Sequence, residues 1–96
     1  MAVQPDTSTF NSGEKTAVKI RVRYFAILKE ERGLGGEEIV TGASTLADLY
    51  NELAVKHRFS LHQKQLRVAV NESFVDWQTA VEDGAQIVFI PPVAGG

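Results

Sequence analysis

Gln86-Ile-Val-Phe-Ile90-Pro-Pro-Val-Ala-Gly-Gly96 is the stretch that decides the architecture. Ile87 to Ile90 is an unbroken apolar run. A strand of that kind needs apolar contacts on both of its faces, which places it inside a sheet rather than at its rim. Pro91 and Pro92 then stop it, since neither can donate a backbone hydrogen bond to a neighbouring strand. Gly95 and Gly96 lack Cβ, so the carboxylate of Gly96 sits on a tether thin enough for a channel that other residues would block. Residues 91–96 therefore read as a flexible tail. Fully extended, these six residues reach roughly 20 Å, enough to leave one protein surface and enter another. The two prolines stiffen the base of the tail and lower the entropy lost on docking.

Upstream, Val18-Lys-Ile-Arg-Val-Arg-Tyr24 alternates apolar and polar residues, the period of a strand with one buried face. Val18, Ile20, Val22 and Tyr24 point to the core, while Lys19, Arg21 and Arg23 point away. Phe25 falls on this basic face and is the one large apolar residue there. A short helix or turn over Ala26–Arg32 ends at Gly33-Leu-Gly-Gly36. Glu37–Thr41 reads as a second strand, antiparallel to the first. Thr45-Leu-Ala-Asp48 has the form of a helix start, with Ser44 or Thr45 as cap. Leu46, Leu49, Tyr50 and Leu53 follow at helical spacing, and Glu52 and Lys56 are set four apart as an ion pair. The helix runs to about Arg58. Phe59–Gln65 is polar and irregular. Arg67–Asn71 is a third strand, Asn71-Glu-Ser73 a tight turn, and Phe74-Val75 a short fourth strand. Glu82-Asp-Gly84 is the turn before the last strand. The expected fold is α+β: a small mixed sheet with one main helix packed across one face, and the first and last strands side by side in its middle. The other face stays open and carries Lys19, Arg21, Arg23 and Phe25. The expected division is an N-terminal extension over 1–17, a folded domain over 18–90 and the tail over 91–96.

The 96 residues suffice for one small domain. There is no cysteine, which excludes disulfides, thiolate metal sites and a cysteine nucleophile in this sequence. A net charge of −2 gives no general attraction for nucleic acid. No apolar run approaches the ~18 residues of a membrane span, and the polar Met1–Ala17 stretch lacks the apolar core of a secretory signal. A cytoplasmic protein with no nucleic-acid or membrane partner is expected.

Three segments resemble the sulfur-carrier small subunits of molybdopterin synthase, which belong to the ubiquitin-like β-grasp superfamily. They are Tyr24-Phe-Ala26 at the end of the first strand, Val68-Ala-Val-Asn71 before the short strand, and Asp83-Gly84 with the final strand and Pro91-Pro-Val-Ala-Gly-Gly96. The likeness spans about Val18 to Gly96. It implies that an ATP-using, E1-like activating enzyme adenylates the Gly96 carboxylate. A sulfur donor then converts it to a thiocarboxylate, and the tail enters the large subunit of molybdopterin synthase. There the sulfur passes to a pterin precursor. On this reading Gly96 bears the sulfur and Gly95 permits passage through a narrow channel. Phe25, Phe74, Ile90, Pro91, Pro92 and Val93 contact the partner, and two carriers join two large subunits. The chain holds no cofactor and no metal, and is not catalytic alone.

The residues agree with that chemistry. A carboxylate is a poor electrophile and a poor sulfur donor; adenylation supplies a leaving group and thiolation a nucleophile, with no side-chain catalyst required. Phe74 reads equally well as core. Arg21, Arg23 and Arg67 fit either a solvated basic face or a rim of ion pairs. Trp77 reads as cover for the core edge. His57 and His62 have no metal-ligating company, and the glycines at 33–36 lack the context of a phosphate loop. Other uses of the same tail stay open: sulfur delivery to thiamine, cysteine or transfer RNA, attachment to target lysines as a protein modifier, or a plain interaction domain with an inert end.

Overall fold

A computed structural model of the protein describes residues 17–92. Along the chain it forms β1 (Val18–Tyr24), α1 (Ala26–Arg32), β2 (Gly36–Thr41), α2 (Leu46–His57), a 3-10 turn (Gln63–Gln65), β3 (Arg67–Val70), β4 (Ser73–Val75) and β5 (Gln86–Ile90). The strands make one sheet in the order β2-β1-β5-β3-β4. The β1–β5 pair is parallel and the others antiparallel. The continuous apolar run of β5 thus occupies the central position, with β1 beside it. This is the α+β, ubiquitin-like β-grasp arrangement.

The period of β1 is realised as read. Ile20, Val22 and Tyr24 are buried, together with Ile87 and Phe89 of β5 and Val68 of β3. α2 closes this face with Leu46, Leu49, Tyr50 and Leu53. Its start is fixed by Thr45, whose hydroxyl accepts a hydrogen bond from the Asp48 N–H at 3.2 Å, a cap worth about 1 kcal/mol. It ends at Arg58, which takes a left-handed conformation at φ 58°. Tyr50 anchors the irregular stretch after the helix: its hydroxyl donates to the Leu61 carbonyl at 2.7 Å, and burial pushes its pKa up to about 12, so it remains a donor. Trp77 covers the core edge, stacking on Phe89 and meeting Tyr50 edge-on.

Several details differ from the sequence reading. Glu52 makes no ion pair with Lys56; its carboxylate accepts from the hydroxyl of buried Thr41 at 2.9 Å. A partner on β2 at a fixed position outcompetes a solvated lysine whose flexible side chain must be ordered. β2 starts one residue earlier, at Gly36, and the irregular stretch contains the 3-10 turn. β3 stops at Val70 because Asn71 and Glu72, at φ 49° and 75°, form a two-residue hairpin turn that joins Val70 to Ser73. The expected N-terminal extension falls outside the described residues except for Ala17. Val93, Gly95 and Gly96 of the tail also lie outside them.

α1 is joined to the sheet by a polar cluster. The Tyr24 hydroxyl donates to Glu37 Oε2 at 2.7 Å, and Arg32 grips the same carboxylate with two hydrogen bonds of 2.7 and 2.8 Å. Three consecutive elements, β1, α1 and β2, meet at one carboxylate. The Arg32 hydrogen bonds hold the Glu37 carboxyl below its usual range, with the Tyr24 hydroxyl adding to the effect and burial opposing it.

Candidate functional site: the open sheet face and the base of the tail

The face of the sheet away from α2 is ordered by register. Arg23 stands opposite Gly36 on one side and Val88 on the other. Val88 is opposite Ala69, and Ala69 is opposite Phe74. These residues form a row across all five strands. One step toward the tail, Ile90 pairs with Arg67, and Phe25 stands two residues beyond Arg23 on the same face. Phe25, Phe74 and Ile90, widely separated in sequence, therefore share one end of one face.

Their exposure separates contact from core. Phe74 is 58% exposed and Phe25 42%, so Phe74 belongs to the surface and not to the core. Ile90 is half-buried, as are Val88 and Pro91, and Pro92 is exposed. Each phenyl ring carries an arginine. The Arg67 guanidinium lies 4.0 Å from the Phe74 ring centroid, and that of Arg23 lies 5.5 Å from the Phe25 centroid. Such stacks are worth about 0.5–1 kcal/mol at exposed sites. They also hold the rings in place. The result is an apolar centre with cationic flanks. Arg21 is further out and pairs with Glu38 at 3.7 Å on the surface.

Local backbone explains how Phe25 is presented. Phe25 itself is extended, and Ala26 takes φ 53°, a left-handed value that costs a non-glycine residue about 1 kcal/mol. This single residue turns the chain from strand into helix. The Phe25 carbonyl then accepts from the Leu28 N–H at 3.1 Å. The ring is left on the open face instead of following the helix.

The sequence reading named Phe25 from the alternation of β1, and Phe74 and Ile90 from the family resemblance; the structure brings the three to one face, with Val88 and Ala69, which the sequence reading did not name, between them. The signal for Val88 was present in the unbroken apolar run of β5. Ala69 and the Arg67–Phe74 stack needed the hairpin register, which two left-handed non-glycine residues set. Among the described residues no group of three His, Cys, Asp or Glu is placed to hold a metal ion. His57 lies against Phe59, with burial and the nearby Arg32 charge lowering its pKa. No helix among the described residues is long and apolar enough to cross a membrane.

Residues 22–96 match the ThiS family, a span that contains this face and runs through the tail. The chain belongs to the ThiS family. It is 30% identical over 80 residues to the molybdopterin synthase sulfur carrier subunit of Escherichia coli, covering 80% of this chain and 99% of that one. It is also similar to the solved protein–protein complex of subunits 1 and 2 of the molybdopterin-converting factor from Helicobacter pylori. There the identity is 29%, with coverage of 82% of this chain and 100% of the matched one, and the TM-score is 0.57. A ubiquitin from Caldiarchaeum subterraneum shares the fold at 16% identity and a TM-score of 0.57, covering 84% of this chain and 100% of that one. As a ThiS-family protein, the chain is a sulfur carrier.

Proposed function

We propose that this ThiS-family protein is the sulfur-carrier subunit of a molybdopterin synthase and acts in the cytoplasm. One observation carries the reading to a synthase: the two arginine-backed phenyl rings and Ile90 lie on one face, at the point where the chain leaves β5 for the tail. A surface so placed lets the body dock while the tail extends into a partner. The named similarity to carrier subunits of molybdopterin synthase, one solved as part of a subunit 1–subunit 2 complex, supports a large subunit as that partner.

In the proposed cycle an E1-like enzyme joins the Gly96 carboxylate to the AMP moiety of ATP and releases pyrophosphate. Sulfur from a donor displaces AMP and leaves a thiocarboxylate. In the large subunit the thiocarboxylate sulfur attacks a carbon of the pterin precursor, where a carbon–oxygen bond breaks and the oxygen group leaves; water then cleaves the acyl–sulfur bond, returning the Gly96 carboxylate and leaving the sulfur on the pterin. Gly95 gives the tail its narrow cross-section, and Pro91, Pro92 and Val93 contact the partner. Phe25, Phe74 and Ile90 make the apolar contact. The protein supplies no catalytic side chain, metal or bound cofactor.

The test is intact mass after reaction with the activating enzyme, ATP and a sulfur source, followed by rescue of carrier-deficient strains. A gain of one sulfur for one oxygen, with rescue of a molybdopterin-deficient strain and not of a thiamine-deficient one, is the expected result. An unchanged mass under conditions that convert the Escherichia coli carrier would overturn the carrier chemistry. Rescue of the thiamine-deficient strain alone would redirect the sulfur.

A further inference from the structure

Away from the docking face, a pocket of about 150 Å³ opens on the core side of the sheet. Leu46, Val70, Val75, Val81, Ala85 and Ile87 form its walls, and Glu82 stands at its lip. Thr79 and Ala80 complete a lining that is mainly apolar, and a mainly apolar cavity of such a volume accepts a benzene-sized ring. The segment of the chain outside the described residues contains a matching group: Phe10 is the one aromatic residue among residues 1–16.

The point of entry fits. β1 begins at Val18, and its first residues are bonded to the loop that forms the pocket's lip. The Lys19 N–H donates to Asp83 Oδ1 at 2.9 Å, Gly84 N–H to the Lys19 carbonyl at 2.8 Å, and Arg21 N–H to the Ala85 carbonyl at 3.0 Å. From β1 the walls on β5, β3 and β4 are one, two and three strands away. At about 4.8 Å per strand and with the offset along β1, the pocket lies within about 20 Å of Val18. The eight residues from Phe10 to Val18 reach about 26 Å when extended.

We infer that the pocket beside Val75 is a docking site for the chain's own N-terminal segment, with the Phe10 ring as its occupant. The consequence follows from alternation along β4. Val75 faces the pocket and Phe74 faces the open side, and among the described residues this three-residue strand has β3 as its one ladder partner. A ring packed on Val75 braces the strand that presents Phe74. The inference stands apart from the sulfur chemistry, and its test uses no activity.

The test is nuclear Overhauser contact in the full-length protein, between Phe10 ring protons and the methyls of Val70, Val75 and Val81. These contacts are expected, and in Phe10→Ala the same methyls should shift and the amides of Ser73–Val75 should exchange about tenfold faster. Added benzene should then perturb those methyls more in Phe10→Ala than in the unaltered chain. The inference is overturned if Phe10 shows no contact and its substitution changes only residues 1–16. It is equally overturned if mixed-label samples show the contacts to be between molecules, which would make the occupant a second copy.

Discussion

Phe74→Ala separates the docking face from the fold more sharply than any other change. A phenylalanine side chain buries about 150–250 Å² when covered, and 58% of Phe74 is uncovered in the free protein, leaving on the order of 120 Å² for a partner to bury. At about 25 cal/mol per Å² this is roughly 3 kcal/mol, or somewhat over a hundredfold in Kd. The same reasoning for Phe25, at 42% exposure, gives roughly 2 kcal/mol and about thirtyfold. Folding should change little. Phe74→Ala removes the Arg67 stack, about 0.5–1 kcal/mol, and exposes no core. Calorimetric titration of each variant against the cognate large subunit, alongside a denaturant melt, measures both quantities. The reasoning requires that Phe74→Ala weaken binding more than Phe25→Ala and that both melts stay near that of the unaltered chain. Equal affinities for all three proteins would show that this face is not where the partner sits.

Other expectations are more local. Ala26→Gly should raise stability by up to about 1 kcal/mol, because glycine takes a left-handed φ without the steric cost alanine bears at 53°; a denaturant midpoint that falls would mean the turn is unstrained. Glu37→Gln should cost about 2 kcal/mol near neutral pH by weakening the Arg32 grip and the Tyr24 bond. Because the folded fold holds this carboxyl below its usual range, its contribution is full above about pH 4.5 and is lost as pH falls through the folded value, so the variant should show a shallower acid limb in denaturation against pH. His57 is also lowered, by burial first and by the Arg32 charge second, so its protonation favours the unfolded chain; stability should decline as pH drops below about 6.5 and level off beneath the folded value. In His57→Gln that decline should be absent from the same pH series.

Much of the fold was legible because the periods in the chain agree with one another. The alternation over Val18–Tyr24, the spacing of Leu46, Leu49, Tyr50 and Leu53, and the unbroken Ile87–Ile90 run each allow one burial pattern, and together they place the helix on one face and β5 in the centre. What sequence left open was decided by geometry it does not encode locally. Whether Phe74 is core or surface depends on the parity of β4 relative to Val68–Val70. That parity is set by a turn whose left-handed positions are filled by Asn71 and Glu72, the second an unusual residue there. The Tyr24–Glu37–Arg32 cluster was invisible for a similar reason: nothing in the local sequence gives Glu37 a partner until α1 brings Arg32 back over it. Glu52 was misassigned because helix spacing proposed Lys56 while the tertiary contact supplied Thr41.

On the proposed function, the placement of the patch explains how a tail whose last two residues lack side chains can react selectively. Gly95 and Gly96 offer a partner almost nothing to hold, so affinity has to come from the body. Ile90 belongs to the patch and is also the last residue of β5, hence any partner covering Phe25 and Phe74 holds the root of the tail within a few residues of the reacting end. Tethering of this kind makes the second contact intramolecular, at an effective concentration in the millimolar range for a short linker. The two prolines keep the root from folding back along the strand. A carrier must also leave. One patch with two exposed rings is small for a permanent interface, and an activating enzyme that used the same rings would be excluded while the large subunit was bound. Sequential visits then follow from competition for Phe25 and Phe74. Adding an excess of large subunit should therefore slow adenylation of Gly96 in proportion to occupancy, and Phe74→Ala should relieve that inhibition. If adenylation proceeds undiminished on the fully assembled complex, the two partners use different faces and the shared-patch argument is wrong.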